Sequence, residues 1–473
     1  MTGDERPSSP PTRRRFLAGV ATAFAAATAG CGYVPGGGDL AWRESLRVGS
    51  LAFGSDRRSL PAEDRLVTVE NQSGRDYDFE EEVWRDVENA AVSVLTPDGT
   101  LRSVGETERQ AVGAPAVGGD AVFLPLERDR LTAVDLSEGE PSAGGSSEAD
   151  PAGSDGSTEE SADGAVRWRI DAGSLLATGS EGGSGNDGTA DGDETTDGDG
   201  TADGDETTDG DGTTDGGGSS LRGVRASDSI VVAVGAHGIA AVDAETGDRA
   251  LAVPDLWTDE SGGSPADPTP RVAVDDATVW VLIPGDAAAT ENGDATVVGY
   301  DRTGARRVER AVDDANDWIV AVDGTVAVGG ADGTLTGYDR ELERRFALDA
   351  QAPESRPPHV SGEGRLYYSH GRTVVGVDVD AGEVAFERSD LPRGHLAVDE
   401  RGAYVAERGD GFDDAEARMV AVGTDGSVRW ETPFPEGVEP SELFAIGGRL
   451  VALDGGTAYG FRATPGERWS PLG

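Results

Sequence analysis

The sequence predicts an all-β chain built by repetition, and three observations carry that prediction. First, a strand–turn–strand unit recurs, most clearly at Ala241-Val242-Asp243-Ala244-Glu245-Thr246-Gly247-Asp248-Arg249-Ala250-Leu251. Its Asp can accept hydrogen bonds from turn amides, and its Gly can take φ > 0. Second, the position of Asp243 is matched by Leu95, Asp135, Asp301, Asp339, Asp378, Gly423 and Gly460. Once two insertions are set aside, neighbouring copies lie roughly 38–46 residues apart, which is the length of four short strands. Third, Val- and Ile-rich runs bounded by Gly or Asp fill the copies, and no window of helix length keeps a 3.6-residue apolar period. A four-stranded repeat of this length is a blade, and eight copies predict an eight-bladed β-propeller, with seven blades as the alternative.

Each copy has the same internal order. A short strand precedes a β-rich one, such as Asp228–Val234 or Gly324–Gly329. A Gly-rich turn follows, then the strand ending at the Asp position, then an outer strand that often holds an aromatic. The turn residues Asp135, Asp243, Thr246, Gly247, Asp301, Asp339, Asp378 and Gly382 read as structural caps. The aromatics Trp168, Phe386, Trp430 and Trp469 read as side chains docking one blade on the next.

In order along the chain, residues 1–30 are expected to be an export signal. Arg13 and Arg14, followed by Phe16 and Leu17, form a twin-arginine pattern, which is a receptor-read address. The apolar run from Phe16 to Gly30 is too short to span a bilayer. The only cysteine, Cys31, follows Thr28-Ala29-Gly30 in a lipobox-like setting and is the expected lipid attachment site. One cysteine allows no intramolecular disulfide. Residues 31–39 form a tether, and 40–473 the propeller. Ala41–Leu46 reads as an outer strand that pairs with the last repeat and closes the ring. An acidic segment around Tyr77–Glu88 is expected to form a short surface helix.

The insertions, 138–164 and 181–220, hold eight and thirteen acids and no base. Such composition buries too little apolar surface to fold, so both are expected to be disordered loops. The second repeats a twelve-residue Asp-rich sequence, at 189–200 and 201–212. An EF-hand loop started at Asp197 would need an acid and a Gly where Thr201 and Ala202 stand, so the calcium pattern fails.

The chain carries 89 acids against 40 bases, a formal charge of −49, and the bases are all Arg. The insertions hold 21 acids, which leaves −28 on the remainder, so the acidity is global. Molar salt, with a Debye length of about 3 Å, would screen the resulting repulsion. Nucleic acid, whose phosphates need a basic patch, is excluded as a partner. No G-x-S-x-G, CxxC or HExxH pattern occurs. His237, His359, His370 and His395 fall in or near inter-strand turns, and no metal site is assigned to them.

The 241–251 stretch resembles the A-x-D-x-x-T-G-x-x-x-W signature of the pyrroloquinoline-quinone-type β-propeller repeat. Leu251 stands in the Trp slot, and Gly376–Phe386 matches with Phe there. The charge pattern resembles that of haloarchaeal proteins. The resemblance covers about 40–473 and implies the fold. The repeat type occurs both in quinoprotein dehydrogenases and in non-enzymatic scaffolds, including the propeller subunit of the bacterial outer-membrane β-barrel assembly machinery. The dehydrogenases carry a vicinal Cys-Cys, which the single Cys31 rules out, and a calcium-binding Glu/Asn/Asp set with no evident match here. The expectation is therefore a non-enzymatic binding or scaffold module. It would use no cofactor, be anchored by an N-terminal lipid on the extracellular face of the cytoplasmic membrane, and have protein partners. A quinone-dependent oxidoreductase and a sensor using the central channel are the alternatives.

Overall fold

The computed structural model describes residues 37–46, 56–78, 83–137, 165–176, 221–257, 267–285, 295–313, 315–353, 356–361, 363–407 and 417–464. Within them, thirty-two strands form eight antiparallel sheets of four strands each, so the ring has eight blades and not seven. Blades 1 to 7 span 57–106, 116–171, 221–253, 272–312, 315–349, 359–388 and 394–433. Blade 8 takes three strands from 442–462 and its fourth from Leu40–Ser45. That N-terminal strand runs antiparallel to Thr457–Arg462, with Trp42 opposite Gly460 and Ser45 opposite Thr457. The two ends of the propeller thus share one sheet, and no blade is left with an open edge at the closure.

The burial pattern follows from the ring. Second strands such as Ala121–Leu126 and Ile230–Gly235 are buried at every residue, because both of their faces meet a neighbouring blade. Outer strands alternate, as in Val166–Asp171, because one face is wet. The first strands contact one another around the channel, as in blades 6 to 7, 7 to 8 and 8 to 1.

Every pairing of a third with a fourth strand contains a register shift, a bulge that turns the outer strand across its neighbour. In blades 5, 6 and 8 an aromatic on the outer strand then lies over a third-strand glycine. A Cβ at Gly460 would stand 2.1 Å from Trp42, and one at Gly376 2.5 Å from Phe386. This corrects one equivalence. Gly460 is not the counterpart of Asp243 but lies two residues earlier in the pattern, beside the bulge. In blade 8 the third strand does not run into the fourth, so it has no turn for an Asp to cap.

The acidic stretch near 77–88 is not helical. Leu66–Asp78 and Val83–Leu95 are the second and third strands of blade 1, paired from Leu66↔Leu95 to Asp78↔Val83. The first strand ends opposite Glu70 and the fourth opposite Ala91. From Gln72↔Asn89 outward the hairpin is therefore a two-stranded ribbon. The helix expectation failed because exposed charged residues such as Arg75 on one strand and Asp86 and Glu88 on the other hide the period-two alternation. The only α-helix among the described residues is the five-residue Ala172–Leu176. The insertions 138–164 and 181–220 lie outside the described residues, as do Arg13, Arg14, Phe16, Leu17, Cys31 and Trp469.

Candidate functional site

The aspartates that recur at this position in blades 2 to 6 act within their own turns. Asp243 Oδ1 accepts from the amides of Glu245 (3.0 Å) and Thr246 (2.9 Å), and Gly247 completes the turn at φ +75°. These bonds, led by that from the Thr246 amide, hold the Asp243 carboxyl below its ordinary value. Asp301 accepts from the Thr303 hydroxyl (2.6 Å) and the amides of Thr303 and Ala305, which bring its pKa down to about 2. Burial raises the Asp135 carboxyl, but bonds from Arg167 (3.0 Å) and the Ser137 amide outweigh that and bring it to about 2. Asp339 accepts from Glu341 and Glu343 amides, and Asp378 from the Ala381 amide and Arg365. Gly382, at φ +66°, bonds the Asp378 carbonyl.

The outer-strand aromatics each reach a turn in the following blade. Trp168 stacks on Phe123 at 5.8 Å, lies against Gly247 and donates from Nε1 to the Ala244 carbonyl (3.1 Å). Phe386 lies against Gly426, and Trp430 donates to the Ala463 carbonyl (3.0 Å). Trp42 closes the circle by donating to the Pro97 carbonyl (2.8 Å) of blade 1.

A quinone–calcium pair would need oxygens converging on one ion. The turn aspartates stand in five separate blades, 2 to 6, each with an oxygen bonded to a turn amide. No group of three or more His, Cys, Asp or Glu among the described residues lies close enough to hold a metal. The described residues do not fit the pair.

Two features outside the repeat signature remain. One is the ribbon of blade 1. Asn71 exchanges two hydrogen bonds with Ala111, and Gln110 donates to the Gln72 carbonyl, so its base is fixed to the crossover into blade 2. Arg75 and Asp86 pair across it at 2.9 Å. Near its tip Trp84 is 65% exposed and Val83 43%. The other is a cavity of about 930 Å³ in the channel, walled by the first strands of blades 6, 7, 8 and 1. His359 at the start of blade 6 and Glu442 at the start of blade 8 stand open to water yet are hemmed by protein. Burial lowers the His359 pKa, and it raises that of Glu442 against the pull of Ser59 and Arg57. Sequence reasoning missed both features. The channel is assembled from strands as short as His359–Ser361, which carry no local signature.

No protein-family model matches the chain, and no curated protein matches it. Solved structures do. The chain is similar to BamB from Moraxella catarrhalis, with 15% identity over 89% of this chain and 98% of that one and a TM-score of 0.45. It is similar to the quinohemoprotein alcohol dehydrogenase ADHIIG from Pseudomonas putida HK5, with 12% identity over 92% and 78% and a TM-score of 0.47. It is similar to Sqt1 from Saccharomyces cerevisiae, with 8% identity over 90% and 99% and a TM-score of 0.44.

Proposed function

We propose that this propeller is a non-enzymatic binding module that holds another protein at the extracellular face of the cytoplasmic membrane. It is exported through Arg13 and Arg14 and anchored by a lipid on Cys31. The observation that carries the binding role is the ribbon of blade 1, which extends past its own sheet and presents Trp84 and Val83 to solvent. A Trp ring is a large, stiff contact that favours interfaces. Covering the exposed part of Trp84, roughly 150 Å² at about 25 cal/mol per Å², is worth about 4 kcal/mol to a complex. The fixed base of the ribbon means little ordering is needed on binding. The export reading is supported by the arginine pair and by the single cysteine beside a small-residue run.

The test is a photo-crosslinking residue placed at Trp84 and, as a control, at Asp98 in the turn between the third and fourth strands of blade 1. In intact cells the ribbon position should trap one discrete protein and the control should not. Equal or absent trapping at both positions would overturn the assignment. The oxidoreductase alternative is separated by titrating pyrroloquinoline quinone with calcium, where saturable quenching of Trp fluorescence would favour it.

A further inference from the structure

The channel cavity is a built site. Its volume of about 930 Å³ falls among cavities that enclose small ligands. One side is apolar, with Val360, Leu396, Val398 and Phe444 facing the space. Val360 is 43% exposed there, a large side chain left open to water on a first strand. Polar groups gather at the end formed by the first turns of blades 1, 7 and 8. Ser361, at the end of the first strand of blade 6, lines this space and is only 4% exposed, and its Oγ has no hydrogen-bond partner. That Oγ has almost no exposed surface, so it lies behind the cavity wall and is not open to a ligand.

The charges at that mouth set the sign of the ligand. Glu63, Asp399 and Glu400 line it together with one cation, Arg401. Arg401 stands 3.8 Å from Asp399 and 3.5 Å from Glu400, so its charge is already matched. Asp399 also accepts from the Tyr404 hydroxyl (2.9 Å). Glu63 makes no ion pair among the described residues. His359, at the other end of the cavity, has its pKa lowered by burial, which disfavours its charged form.

We propose that this cavity binds an amphipathic organic cation. Its apolar body would lie on Val360, Leu396, Val398 and Phe444, and its ammonium would donate to the Glu63 carboxylate. An ammonium has three donors and no acceptor, which suits a carboxylate with no ion pair among the described residues. A carboxylate of the same length would meet like charge. This site is separate from the ribbon and does not depend on it.

Titration calorimetry on the full chain, in one fixed molar salt, with octylammonium, octanol and octanoate, tests this. Octylammonium should bind at one site per chain at least tenfold more tightly than octanoate, with octanol between them. Glu63→Gln should weaken octylammonium at least fivefold. Val360→Arg changes an exposed side chain and places a cation over the apolar wall, and should weaken it at least tenfold while leaving the unfolding midpoint in place. Absent or unsaturable octylammonium binding, equal binding of octanoate, or unchanged affinity in either variant would overturn the assignment.

Discussion

Ring closure gives the sharpest stability test. Trp42, from the N-terminal strand, lies over Gly460 and Gly99, and its Nε1 donates to the Pro97 carbonyl at 2.8 Å. It thus joins the first described strand, the last blade and the first blade. Gly460→Ala puts a Cβ 2.1 Å from Trp42 Cε2, so the indole must move. Overpacking of this kind costs about 1–3 kcal/mol. Losing the indole–carbonyl bond adds about 1 kcal/mol, so the expected cost is about 2–4 kcal/mol. Trp42→Ala removes ring and bond together and costs about 3 kcal/mol. The double variant should cost little more than Trp42→Ala alone, because the added methyl then has room. The coupling is then about 2–4 kcal/mol, nearly the whole cost of Gly460→Ala and far from additive. Gly74→Ala, where a Cβ meets nothing within 4 Å, is the control and should stay within about 0.5 kcal/mol of wild type. Denaturant unfolding in matched molar salt reads all four. Additive effects of Gly460→Ala and Trp42→Ala would refute closure through this contact.

Acid stability follows from the turn aspartates. Asp135 and Asp301 titrate at about 2 when folded, below the ordinary 3.8, so their stabilisation is complete above about pH 4 and is lost as the pH falls toward 2. Asp301→Asn should flatten the pH dependence of the unfolding midpoint in that window, and an unchanged slope would count against the capping role. Trimming most of 138–164 and 181–220 should change the midpoint little at molar salt, since loop closure costs only about 0.6 kcal/mol per doubling of length. Deleting 165–171 removes Trp168 and its strand and should unfold the protein, so loop deletions that are as damaging would show that blade 2 is wrongly placed. Replacing Arg13 and Arg14 with Lys should leave unprocessed precursor in the cell. Cys31→Ser should release the propeller from membranes or leave it unprocessed, and wild-type fractionation of that variant would remove the lipid anchor from the account.

The sequence revealed the parts of the fold that local chemistry sets. The turn at Asp243–Gly247 is visible because a carboxylate, two amides and a positive-φ glycine act within five residues. The blade count follows from the spacing of such turns. The closing strand is legible because Trp42 stands in the aromatic slot of an outer strand. The eighth copy was misplaced by two residues because its fourth strand comes from the other end of the chain, leaving no turn to cap. The ribbon of blade 1 was missed because charged residues such as Arg75, Asp86 and Glu88 leave its alternation without an apolar face. The channel cavity was missed for a different reason. Val360, Leu396 and Phe444 come from three blades, and only closure of the ring brings them to one wall.

The central claim is that the chain works by holding a partner through the ribbon of blade 1. The most direct measurement replaces 73–88 with a two-residue turn and follows both folding and partner binding. Thermal unfolding in matched salt should be unchanged within a few degrees, since the removed pairs have no neighbouring strand. Co-isolation of the crosslinked partner from membranes should be lost. Retention of the partner by a folded, ribbonless propeller would contradict the claim.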